Sequence, residues 1–228
     1  MTIAIGVGSK GVGTGVSSQA TTGVTTQASG SLFAVGFVTD AGLTVISVVD
    51  SKSNAYSLIK GSVSMAGAGG LGFLYRSTGS VGGASHTATV TMSGAGRMTV
   101  FFGEILGTSA FDLGNGVEDA ASPFASPSIT TTSARELLLG MIGGDSASNP
   151  ATNAESTGMV ILSAAEELNG AANWVGCFAS RVVSATGSYN SSFTESGSVD
   201  CAVFIASWIE TPTSAPPGPL ARQVYILP

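Results

Sequence analysis

Charge is scarce in this chain. Only 10% of its 228 residues are charged, against about 25% in an average soluble domain. Eight Lys plus Arg against fourteen Asp plus Glu leave a net charge of −6. The few cations are scattered singly, so no basic footprint exists for nucleic acid or an anionic membrane, and neither partner is expected. One histidine excludes a histidine-rich metal site, and two cysteines exclude a disulfide framework or a cysteine zinc site. Cys177 and Cys201 lie in apolar strand-like runs. They read as two buried thiols, with a single inter-strand bridge as the alternative. No apolar stretch approaches a 20-residue membrane span, because Gly, Ser, Thr or a charge interrupts each one. The first residues, MTIAIGVGSK, lack the basic start and long apolar core of a signal peptide, so synthesis in the cytoplasm is expected.

What the chain has instead is small residues. Gly, Ser and Thr make up 88 of 228, which argues against long helices and coiled coils. A hydrophobic fraction of 43% argues equally against a disordered Gly/Ser polymer. The apolar stretches are five to ten residues long, rich in Val, Ile, Phe and Thr, and bounded by turn formers. They predict about eleven strands, near 31–39, 43–50, 55–60, 71–76, 86–93, 97–106, 136–143, 158–165, 173–184, 190–195 and 200–210. Ser51–Asn54 and Ser93–Gly96 are predicted to close hairpins. The best helix candidate, Ala164–Asn169, is too short to matter.

Alternation separates two kinds of strand. In 86–93, Thr87, Thr89 and Thr91 face one way and Ala88, Val90 and Met92 the other, the pattern of a half-solvated strand. Segments 32–38, 98–106 and 201–209 are apolar on both faces. A lone sandwich buries one face of each sheet. The second face therefore needs a cover, from a loop or from another subunit, and subunit contact is the expectation. The predicted fold class is all-β, a jelly-roll-like antiparallel β-sandwich with extended N- and C-terminal arms. Residues 1–30 read as a Gly/Ser/Thr-rich arm, 31–210 as the sandwich, and 211–228 as a Pro-rich docking arm. Its tip carries Val224, Tyr225, Ile226 and Leu227, the candidate partner-docking residues.

Chemical motifs are weak. GVGSKG at 6–11 fits G-x-G-x-x-G, but no helix follows and no acid lies about 20 residues on. Lys10 follows Ser9 rather than Gly, so this is no phosphate loop. His86 shares a face with Ala88, Val90 and Met92 and reads as a structural histidine. No G-x-S-x-G elbow accompanies it. Two carboxylates suffice for glycoside hydrolysis, yet nothing selects a pair from Glu104, Asp112, Glu118, Asp119, Glu166 and Glu167. Asp112, Asn115, Glu118 and Asp119 offer oxygen ligands for Ca²⁺, though not at EF-hand spacing. No catalytic residue, metal or cofactor is assigned, and an enzymatic role is not expected. Asn190-Ser191-Ser192 is a glycosylation sequon that lacks a secretory context. A sugar site needs exposed aromatic platforms. Only Trp174, Trp208 and four tyrosines could provide them; Trp208 sits in an apolar strand and reads as core, and Tyr189, in the Ser188-Tyr189-Asn190 loop, is the candidate glycan contact.

Several phrases taken together carry a resemblance. They are TTQASGSLFAVGFVT (25–39), VVDSKSNAYSLI (48–59), HTATVTMSGAGRMTVFFGEILG (86–107), SPSITTTSARELLLGMIG (126–143) and ATGSYNSSFTESGSVDCAVFIASW (185–208). In this order they resemble a loosely defined group of β-sandwich accessory virion proteins of tailed bacteriophages and prophages, over roughly 25–210. The resemblance implies a structural role, as a tail-fibre or tail-appendage component or as a capsid decoration protein. It implies other virion proteins as partners, a homo-oligomer and a location in the virion. It brings no catalytic residues. A carbohydrate-binding module that recognises a host surface glycan is the alternative of a different class.

Overall fold

The computed structural model describes residues 2–145, 154–155, 158–167, 174–194 and 200–211. The docking tip Val224–Leu227 lies outside them. The described chain is all-β. In chain order the strands are β1 (Ala4–Ala20), β2 (Leu32–Asp40), β3 (Val45–Asp50), β4 (Tyr56–Leu58), β5 (Val63–Met65), β6 (Gly70–Ser77), β7 (Ala88–Leu106), β8 (Thr108–Asp119), β9 (Phe124–Ala125), β10 (Ile129–Thr130), β11 (Glu136–Asp145), β12 (Ala154–Glu155), β13 (Val160–Glu167), β14 (Trp174–Val183), β15 (Ser188–Tyr189), β16 (Ser192–Thr194) and β17 (Cys201–Glu210). No helix among the described residues is long and apolar enough to cross a membrane.

Two antiparallel sheets dominate, as a sandwich requires. The first has the order β1-β7-β2-β6-β4, with β3 also on β7 and β5 also on β6. The second has the order β13-β14-β11-β17-β8. Each comes from one contiguous half of the chain, 4–106 and 108–210, with Gly107 (φ +65°) turning between them. A jelly-roll order would interleave the two halves. Between the sheets lie Ala34, Val38, Leu74 and Phe101 of the first, and Leu139, Met141, Trp174, Phe178, Phe204 and Trp208 of the second.

Both outer faces are also covered, and the cover is the chain itself. Phe33, Val35, Phe37, Val100 and Phe102 pack outside the first sheet under Val24, Leu43, Val45, Val48 and Tyr56. Leu138, Ile142, Val203 and Ile205 pack outside the second under Phe124, Ile129, Met159 and Phe193. Two-faced apolar strands thus need no second subunit here, contrary to the expectation. Cys177 and Cys201 are buried in this second outer cluster as thiols.

Three local expectations are corrected. Ala4–Ala20, expected to be part of an arm, is the partner of β7 along nearly its whole length, from Ala4↔Leu106 to Ala20↔Thr89. Its glycines are what allow this. A Cβ on Gly6 would sit 2.5 Å from Glu104 Oε2, and one on Gly8 2.6 Å from the Leu162 side chain. The hairpin expected at Ser93–Gly96 does not form. Segments 86–93 and 97–106 belong largely to one 19-residue strand, whose register against β1 shifts at that point. The chain is folded there rather than reversed: Thr22 N–H donates to the Lys10 carbonyl (2.9 Å), and both halves of β7 contribute to one outer cluster. At Ser51–Asn54 a turn does form, with Ser53 at φ +62°. Its flanking strands diverge, β3 to β7 and β4 to β6.

Candidate functional site

The densest polar network centres on Asp50 and His86, both inside the outer cluster of the first sheet. Asp50 ends β3 and is buried. Its Oδ1 accepts from Lys52 N–H (2.9 Å) and Asn54 N–H (3.0 Å), which closes the turn. Its Oδ2 accepts from Asn54 Nδ2 (2.8 Å) and the Tyr56 hydroxyl (2.8 Å). His86 Nε2 lies 3.0 Å from the same oxygen. That approach misses a linear N–H···O geometry, so it is a close polar contact rather than a well-aligned bond. His86 Nδ1 meets Thr26 Oγ1 at 2.9 Å, and Thr26 Oγ1 accepts from Gly83 N–H (3.0 Å). Phe33 stands edge-on to the imidazole at 4.6 Å and Phe102 lies tilted at 4.9 Å. Burial by itself would raise the Asp50 carboxyl, but the bonds from Asn54 and Tyr56, with the close imidazole of His86, outweigh it and hold the group below its ordinary value. The Tyr56 phenol is driven up, first by burial and then by the Asp50 charge.

Thr, His and Asp in contact invite comparison with a nucleophile triad, which places an accessible hydroxyl beside the imidazole. Here His86 is fully buried, Thr26 is 5% exposed, and the Thr26 oxygen already accepts a backbone amide. The network joins the 24–26 and 83–86 segments to the 50–56 turn. It closes the cover over the first sheet.

The carboxylates considered for hydrolysis or calcium do similar work at separate places. Buried Glu104 accepts from Gln27 N–H and Ser31 Oγ, both at 2.8 Å, and ties the 26–31 loop to β7. The segment that holds Asp112, Asn115, Glu118 and Asp119 is strand β8, not a loop. Asp112 receives Thr132 N–H (3.0 Å) and Oγ1 (2.9 Å). Glu118 receives Ala66 N–H (2.5 Å), and Asp119 receives Ala125 N–H (2.7 Å). They hold three different segments and do not converge. No group of three or more His, Cys, Asp or Glu capable of holding a metal ion occurs among the described residues. Glu166 and Glu167 follow one another on β13, opposite Cys177 and Gly176.

Three further acids escaped sequence reasoning. Glu136 is buried and accepts from Ser133 N–H (2.7 Å). Burial pushes its carboxyl up, and Asp112 adds repulsion. Asp40 receives Arg97 N–H and Nε, both at 2.8 Å, and Trp174 Nε1 at 3.2 Å. Burial raises the Asp40 carboxyl, yet Arg97 overrides this and lowers it. Asp145, close to this pair, is raised by burial. Each is the first or last residue of a strand, where the alternation gives no signal, so only the fold reveals these partners.

Tyr189 is half-buried against the second outer cluster, and its hydroxyl donates to the Ala185 carbonyl (2.9 Å). It is not the exposed platform expected. Trp174 and Trp208 are both core residues. Residues 6–11 lie within β1, so the glycine motif is not a strand-to-helix turn. No protein family matches this chain, and no match was found among curated proteins or solved structures.

Proposed function

We propose that this chain is a structural accessory protein of a bacteriophage virion, serving as a tail-fibre or tail-appendage component. One observation supports the reading most. The buried acids and the single histidine are engaged in locking loops over the outer faces of the two sheets, which yields a self-closed unit suited to bearing load rather than turning over a substrate. The phrase resemblance over 25–210 and the low surface charge are consistent with life beside other virion proteins. The reading uses the two-sheet sandwich alone and does not require the jelly-roll-like order that strand spacing suggested. It has the chain working as an oligomer without nucleic acid, cofactor or membrane insertion.

The test is gold labelling of purified virions with antibody to the full chain, alongside mass spectrometry of the particles. Label on the tail or its appendages is the expected result. Label over the capsid would replace this reading with capsid decoration, and particles that lack the chain would overturn both. A glycan array with the full chain tests the carbohydrate-binding alternative, for which Tyr189 offers only a half-buried ring.

A further inference from the structure

Glu136 opens β11 and, by alternation, shares the outer face of the second sheet with Leu138. It is fully buried, which is rare for a carboxyl at a strand end. Its Oε1 accepts Ser133 N–H (2.7 Å), while Oε2 has no hydrogen-bond partner among the described residues. Ser207 on the adjoining strand β17 is equally buried, and its Oγ is equally unpartnered. It stands beside the Glu136 carboxyl without an aligned bond, and Asp112 of β8 faces the same carboxyl. The 131–133 segment is tied to both acids. Thr132 donates its N–H (3.0 Å) and Oγ1 (2.9 Å) to Asp112, and Ser133 its N–H to Glu136.

A buried carboxylate needs donors on both oxygens or a cation beside it. Glu136 has one amide. The charged groups on the neighbouring elements do not supply the rest. Arg135 is bound by Glu210 (2.8 Å). Arg76 reaches β8 at the Phe111 ring, on the inner face. Arg181, the β14 partner of Leu138, is exposed. Tyr189 gives its hydroxyl proton to the Ala185 carbonyl. The charge that does face Glu136, Asp112, has its own sign. A proton on Oε2 resolves the conflict, because Oε2–H is a donor and both Asp112 and Ser207 can accept. Burial, and after it the Asp112 charge, raise the Glu136 carboxyl in the same sense, against the Ser133 and Ser207 donors.

We infer that Glu136 and Asp112 form a proton-controlled latch: with one proton between them they hold the 131–133 segment down on the second sheet, and without it the segment lifts and lets water reach Glu136. Strand β11 cannot yield, since β14 and β17 pair with it on both sides. The segment can, because apart from the two acids it is held by the Thr131 bonds to Gly187. Folding raises Glu136, so the latch contributes fully below the unfolded glutamate value, about 4.3, and its contribution is lost as pH rises through the folded value. This goes beyond the virion reading and does not rest on it.

Hydrogen exchange of the full chain, read by mass spectrometry from about pH 5 to about pH 9 and corrected for intrinsic rates, tests the latch. Expected is a loss of protection of about tenfold over 131–135 that follows a one-proton curve, with β17 unchanged. Glu136→Gln donates permanently from its amide and should keep protection flat across the range. Asp112→Asn still accepts from Thr132 but removes the like charge, so it should move the wild-type midpoint down by about one pH unit. The ¹³C carboxyl shift of Glu136, assigned by its absence in Glu136→Gln, should titrate with the same midpoint as the exchange. Protection that follows no one-proton curve, the same curve in Glu136→Gln, a midpoint unmoved in Asp112→Asn, or a Glu136 shift that titrates elsewhere would each overturn the inference. Should Glu136→Gln fail to fold, the Asp112→Asn midpoint decides.

Discussion

Replacing Asp50 with Ala should destabilise the fold severely, and the size of the loss follows from what the carboxylate holds. Four donors bond to it, and a fifth, His86 Nε2, lies in polar contact. Lys52 N–H can turn to water. Asn54 and His86 are buried, with Phe33 and Phe102 against the imidazole, and Tyr56 is half-buried. Each donor left buried and unpartnered costs about 1–3 kcal/mol. With partial relaxation the total is about 3–5 kcal/mol, a large share of the roughly 5–15 kcal/mol that holds a domain folded. Asp50→Asn keeps Oδ1 for the turn amides and turns a donor toward Tyr56, so about 1–3 kcal/mol is expected. The pH dependence is signed. Folding holds Asp50 below its ordinary value, so its contribution is complete above the unfolded carboxylate pKa, about 3.9, and fades as pH falls through the lower folded value. Urea unfolding followed by far-UV circular dichroism, at pH 7 and in steps down to pH 2.5, measures both. An Asp50→Ala protein within about 0.5 kcal/mol of wild type at pH 7 would refute the account. So would an unchanged acid limb.

Other outcomes follow from single contacts. Gly36→Val should lose about 1–3 kcal/mol, because a Cβ there meets Met141 Sδ and the Phe178 ring between the sheets; melting temperature reads it. Phe204→Ala should cost about 3–5 kcal/mol by emptying the core between β17 and the first sheet, measured by the same urea titration. Glu104→Ala should leave the sandwich folded but make the 26–31 loop a preferred site of limited proteolysis, since it removes the acceptor for Gln27 N–H and Ser31 Oγ. Cys177 and Cys201 should react with a thiol reagent only at the rate of global unfolding, because both are fully buried.

Where large apolar side chains recur, the strand is readable from the sequence: β2, β6, β11, β14 and β17 stand where their Val, Ile, Leu and Phe predict. Strands β1 and β8 are not readable that way. Their inward positions are occupied by glycine because a neighbour fills the space, as the Phe204 ring does at Gly116. Composition alone makes such a segment look like a linker. Ser93–Gly96 has turn chemistry, yet β1 runs past it and pairs with both flanks, which a local pattern cannot foresee. The burial of His86 is visible in its apolar face. Its partners Thr26 and Asp50 lie 60 and 36 residues upstream, beyond the reach of periodicity. The cover over the outer faces has the same origin: Val24 forms an isolated bridge, Tyr56, Phe124 and Phe193 stand in strands of two or three residues, and only the fold gathers them.

The division of the two sheets between contiguous halves has a consequence for the order of events on the ribosome. Strand β1 must wait about 85 residues for its partner β7, but once Leu106 has emerged the first sheet has every strand it needs. The second sheet cannot close until β17 appears, because β11 pairs with it and β8 has no other partner strand among the described residues. During that interval, at roughly 5–20 residues per second, the nascent chain presents one finished sheet whose inner Ala34, Val38, Leu74 and Phe101 have nothing to pack on. Translation of residues 108–210 therefore sets a window of about 5–20 seconds in which two neighbouring nascent chains can meet through these faces. A pause in synthesis anywhere between β8 and β17 should raise aggregation more than an equal pause after Glu210.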